Sequence, residues 1–121
     1  MAEEAKNIEE LAERGETISG LDLSGQDFSR KRFKNAVFEK CDLKGTDFSY
    51  SELMGASFVE CSLQGALFKA ATLNHSRFID TDATGANFEN AVVDDIGLKN
   101  SIFTNCRFLN TDLQKALIEG S

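Results

Sequence analysis

The sequence predicts an all-β solenoid whose chain turns a right angle every five residues, and three observations predict it. All ten Phe fall in one register, at 28, 33, 38, 48, 58, 68, 78, 88, 103 and 108, a placement that chance gives on the order of once in a million. Extended from Ile18 to Ile118, the register holds 21 residues, all apolar: ten Phe, seven Leu, two Ile, Val93 and Ala83. We call this position the centre. Finally, single features recur every 20 residues, as at Gly25, Gly45, Gly65 and Gly85.

A period of five suits neither standard element. On an α-helix five steps of about 100° carry a residue roughly 140° round the axis, so no face forms. On a flat strand an odd period sends successive centres to opposite sides. The chain must therefore change direction once per repeat, and four right angles close a square after 20 residues. Phe28, Phe48, Phe68, Phe88 and Phe108 then form one column, and Leu23, Leu43 and Leu63 another that ends at Ala83. The core further includes Phe38, Phe58 and Phe78. The glycines, two residues after a centre, mark one edge whose corners favour positive φ. Two residues before each centre, from Ala36 onward, 16 of 17 positions are Ala, Ser, Thr or Cys, Ile96 being the exception. Asp recurs one residue before the centre, at 22, 27, 42, 47, 82 and 112, with Asn at 87.

Repeats such as LDLSG (21–25), CDLKG (41–45), TDFSY (46–50), ANFEN (86–90) and TDLQK (111–115) resemble the pentapeptide-repeat proteins, whose pattern is A-(D/N)-(L/F)-x-x. The resemblance covers about 105 of the 121 residues. It implies a right-handed quadrilateral parallel β-helix of about five coils, with centres and small residues inward and the rest outward. Coils stacked at the strand spacing of about 4.8 Å make a rod roughly 25 Å long.

The chain divides into a capping segment, 1–15, and the β-helix, 16–121. Residues 3–14 read as an amphipathic helix, with Ala5, Ile8, Leu11 and Ala12 on one stripe and Gly15 as its stop. A solenoid exposes a raw apolar layer at each end, so the helix should lay Ile8 and Leu11 over the first coil. The small inward position is irregular there (Leu21, Gln26, Lys31), as expected of a terminal coil. No such helix follows the last repeat. Two expectations stay open there: a homodimer through the C-terminal end, for which outward Leu109 and Leu117 would supply contacts, or a longer parent protein. In the Leu23 column, Ala83 leaves space into which Phe103 should lean.

Composition narrows the function classes. No run approaches the eighteen apolar residues of a membrane span, and the start MAEEAKNIEEL lacks a secretory h-region. Three Cys, an odd number, argue for a reducing compartment, and the expected location is the cytoplasm. The formal charge of −7 is uneven: residues 1–16 hold six acids against two bases, leaving fourteen acids and eleven bases on the solenoid, only −3. A strongly acidic rod is thereby excluded.

Candidates for chemistry are few. Cys41 and Cys61 share a column one coil apart, near enough for a disulfide, yet read as small buried apolar residues, as does Cys106. His75 is the single histidine, outward and without a metal-ligand spacing, and Asp94-Asp95 reads as a solvated corner without converging partners. No catalytic residue, metal site or cofactor is predicted. The basic run Arg30-Lys31-Arg32 with Lys34 should pair with the helix glutamates rather than bind nucleic acid specifically. Val59 and Ile79, outward and 20 apart, should form an exposed apolar contact surface. The reading these support is a non-enzymatic interaction or scaffold module with an unknown protein partner. The family resemblance offers an alternative, a DNA mimic that binds a type II topoisomerase such as gyrase and protects it from quinolones. A second alternative is a targeting or delivery segment of a larger secretion-associated protein.

Overall fold

The computed structural model describes residues 2–111 and 117–120, with residues 2–6 and Ile118 as backbone only. The chain opens with helix α1, Ala2–Glu13. Gly15 stops it at φ +75°. Its N–H donates to Ala12 O and the Glu16 N–H to Leu11 O, both at 3.0 Å, the paired bonds of a Schellman C-cap. Ile8 and Ala12 are buried in the core and Leu11 packs against it half-covered. The helix therefore closes the first coil.

Six short strands follow: β1 Ile18–Ser19, β2 Val37–Glu39, β3 Ser57–Val59, β4 Arg77–Ile79, β5 Gly97–Lys99 and β6 Leu117–Glu119. They form one parallel sheet in chain order. Phe38 pairs with Phe58, Phe58 with Phe78 and Phe78 with Leu98, each 20 residues on. This is the strand face. On the other three sides pairing shrinks to single parallel bridges at the same offset, as at Asp22↔Asp42, Asp27↔Asp47 and Arg32↔Glu52. The chain is thus a four-sided parallel β-helix; the centre at Leu113 lies outside the described residues.

Inside, each column stacks on itself. Phe48–Phe68, Phe68–Phe88 and Phe88–Phe108 lie 5.2, 4.9 and 5.1 Å apart, within 6° of parallel. A second ladder runs Phe38–Phe58–Phe78 at 5.2 and 5.0 Å. The two ladders meet edge-on, Phe48 to Phe58 at 5.8 Å and 77°, so each ring offers its positive rim to a neighbour's face. Leu43 and Leu63 are fully buried. Phe103, stacked above Ala83, reaches Phe78 at 5.5 Å and Phe88 at 6.0 Å, the two rings beside Ala83 in its own coil. Phe103 and Phe108 are partly covered and pack against the core.

Positive φ is not confined to the glycine edge. It occurs two residues after the centre on all four sides, at thirteen non-glycine residues as well as the glycines. The cause is the corner itself. On three sides the centre carbonyl accepts the N–H three residues on, as from Lys31 to Phe28 at 3.3 Å and from Ala36 to Phe33 at 3.0 Å, and such turns with φ > 0 at the third residue favour Gly or Asn. Asn accordingly takes the corner at 35, 90, 100, 105 and 110.

The corner after the strand face is built differently. There the carbonyls of Ile18, Phe38, Phe58 and Phe78 accept side-chain donors one coil up: Cys41 Sγ (3.2 Å), Cys61 Sγ (3.2 Å), Thr81 Oγ1 (3.0 Å) and Ser101 Oγ (3.1 Å). Each of these four side chains carries a proton to give. The cysteines were expected as apolar filler; they are also thiol donors, because a buried carbonyl without a donor costs about 1–3 kcal/mol.

Candidate interaction surface

Since the inward positions are taken by the core, any site must lie on the outward residues and the two ends. The recurrent Asp and Asn turn out to belong to the framework. Asp22, Asp27, Asp42, Asp47, Asp82 and Asn87 each accept, on Oδ1, the backbone N–H two residues on, at 2.9–3.1 Å. Ser24, Ser29 and Thr84 add their hydroxyls to the same oxygens. Those bonds hold the carboxyls of Asp22, Asp27 and Asp82 below the ordinary carboxylate range. The sequence showed the recurrence without its cause, although Asx-type bonding to the residue two on was available as a signal.

Near the first coil Arg32 bridges to α1. Its N–H donates to Glu9 Oε2 at 2.8 Å, and its guanidinium lies 3.6 Å from Glu9 and 3.4 Å from Glu13. Arg30 instead lies 4.6 Å above the ring of Tyr50, the corner residue one coil up.

His75 and Asp95 correct the sequence reading. They are corner residues 20 apart on one edge, and His75 Nδ1 lies 2.8 Å from Asp95 Oδ2. Stacking was the missed signal, since the interval that groups the glycines also groups these two. Both remain well exposed. All three thiols are free, Cys41 and Cys61 are buried, and burial pushes the half-buried Cys106 thiol up.

Val59 and Ile79 pair in register across β3 and β4, but both are half-buried rather than exposed. Neighbouring outward side chains on a flat face cover one another. The most exposed apolar residues lie toward the far end, Ile102 at 50%, Leu109 at 58% and Leu117 at 59%, on three different sides, while Leu21, Tyr50, Leu67 and Val92 are exposed along the rest of the rod. Beside β5, where Gly97 presents no side chain, a hollow of about 440 Å³ opens on the strand face. His75, Arg77, Ile79, Asp95, Lys99 and Leu117 border it. Among the described residues no three His, Cys, Asp or Glu side chains converge to hold a metal ion, and no helix is long and apolar enough to cross a membrane.

The sequence profile of the pentapeptide repeat region matches residues 19–88 and 51–121. No curated protein matches the sequence. Among solved structures, the chain is similar to a pentapeptide repeat protein, Rfr23, from the cyanobacterium Cyanothece 51142, with TM-score 0.80 and 18% identity over 84% of this chain and 83% of that one. It is also similar to a trypsin-treated variant of QnrB1, a plasmid-mediated fluoroquinolone resistance protein, with TM-score 0.58 and 24% identity over 83% of this chain and 56% of that one. At those identities the likeness concerns the fold, a right-handed quadrilateral β-helix.

Proposed function

This chain belongs to the pentapeptide-repeat family, and on that footing we propose that it is a non-enzymatic interaction or scaffold module that presents flat outer faces to a protein partner. One observation carries the reading. The residues able to do chemistry are already engaged by the coil: Cys41 and Cys61 donate to carbonyls, Asp22, Asp27 and Asp82 bind backbone N–H groups, and His75 faces Asp95. What stays free for recognition is shape and charge on the outward rows, on a rigid rod. The free thiols support a reducing compartment, and we place the protein in the cytoplasm.

The test is affinity capture from the native host with the full chain as bait. A protein retained stoichiometrically and displaced by excess untagged chain supports the reading. Absence of any saturable partner overturns it.

A type II topoisomerase is the less favoured partner. Phosphate mimicry needs a continuous negative surface, whereas Arg30, Lys31, Arg32, Lys34, Lys40 and Lys44 interrupt the charge of the first two coils. A gyrase supercoiling assay decides it: inhibition or quinolone protection would restore that partner.

A further inference from the structure

We propose that the strand face is self-complementary and docks a second copy of this chain about a two-fold axis running along the strands, between β3 and β4. The strands present two outward rows, one on each side of the buried centres. In-register pairing stacks Glu39, Val59, Ile79 and Lys99 in one row, and Val37, Ser57, Arg77 and Gly97 in the other. A two-fold axis along the strands keeps each row facing itself and reverses its order.

The reversed rows match. Glu39 meets the partner's Lys99, and Lys99 meets the partner's Glu39. Val59 meets the partner's Ile79, so the half-buried pair at the centre of the face becomes a four-residue apolar contact. In the second row the match is one of size. Val37 faces the partner's Gly97, where the hollow of about 440 Å³ lies, and the long Arg77 faces the small Ser57. Acid opposes base, apolar opposes apolar and large opposes small across these two rows. Rows on two other sides fail the same test. The row Asp22, Asp42, Ser62, Asp82 would oppose acid to acid, and the row Arg32, Glu52, Thr72, Val92 would oppose arginine to valine.

The contact is small. The four strands β2–β5 at about 4.8 Å and three residues of strand give a face of roughly 20 by 10 Å, well below the ~800 Å² per partner of a standard interface. The dimer is therefore a weak one, dependent on its two charge pairs and weakened by salt. This inference goes beyond the scaffold reading and stands apart from it, since a monomeric rod could still present its faces to another protein.

Sedimentation equilibrium of the full chain, taken to about 1 mM at low salt where weak dimers populate, tests it. Wild type should self-associate. Lys99→Glu and Glu39→Lys should each weaken the dimer by about tenfold or more, with unchanged melting curves showing intact folds. The double variant E39K/K99E exchanges the charges and should recover to within about threefold of wild type. A wild type that stays monomeric overturns the proposal. So does a dimer indifferent to Lys99→Glu, which would place the contact elsewhere, at the C-terminal end for example, or a double variant that fails to recover.

Discussion

Thr81 donates its hydroxyl to the carbonyl of Phe58, 3.0 Å away and one coil below, and the same oxygen accepts the N–H of Cys61 at 3.2 Å. One side chain thus satisfies two backbone groups at a corner without a backbone turn bond. Thr81→Val keeps the volume and removes both bonds, so it should destabilise by about 1–3 kcal/mol. Thr81→Ser keeps them and should cost less. Urea unfolding of the two variants beside wild type makes the comparison.

Phe68 lies between Phe48 and Phe88 at 5.2 and 4.9 Å and is fully buried, whereas Phe108 stacks on Phe88 and is partly covered. Phe68→Ala should therefore cost about 3–5 kcal/mol and Phe108→Ala clearly less. Equal losses, measured by denaturant unfolding, would mean that the last coil is packed as tightly as the middle.

Gly45 and Gly55 both sit at corners, with φ of +66° and +71°. A methyl at Gly45 meets open space, while one at Gly55 collides with the carboxamide oxygen of Asn35. Gly45→Ala should cost about 1–2 kcal/mol for the left-handed backbone alone, and Gly55→Ala more. Adding Asn35→Ala to Gly55→Ala should recover the excess, read as a coupling in a double-mutant cycle.

The carboxyls of Asp22, Asp27 and Asp82 lie below their ordinary value of 3.8 in the folded chain. A lowered folded value means that the unfolded chain binds protons first, so their stabilisation is complete above 3.8 and disappears as pH falls through the folded values. Thermal melts should be flat from neutral pH to about 5 and fall below about 4. Asp82→Ala, which leaves Thr84 without its acceptor, should lower the neutral-pH melt and reduce the drop.

Most of the framework was legible because one register repeats. Phe48 and Phe68 could be placed in a column by counting, and so could the small residues at Ala56 and Ala66. Two features were hidden. The donor role of Cys61 depends on the centre carbonyl one coil below lying within reach of its thiol, and nothing in CSLQG shows that the carbonyl there lacks a turn bond. Positive φ at Lys40, Tyr50 and Glu60 runs against residue preference. It is imposed by the coil rather than chosen locally, which is why only the glycine edge suggested it. On the surface, His75 and Asp95 were within reach of the same 20-residue count, but Val59 and Ile79 were misjudged because burial on a flat face depends on neighbouring side chains.

The central claim is that the inward residues make the rod and one outer face makes the function. Affinity capture from the native host, repeated with four baits that each reverse outward charges on a single side and melt like wild type, tests it most directly. The account predicts that one bait loses the partner and the other three retain it. Equal retention by all four, or loss that appears only with core substitutions such as Phe68→Ala, would contradict it.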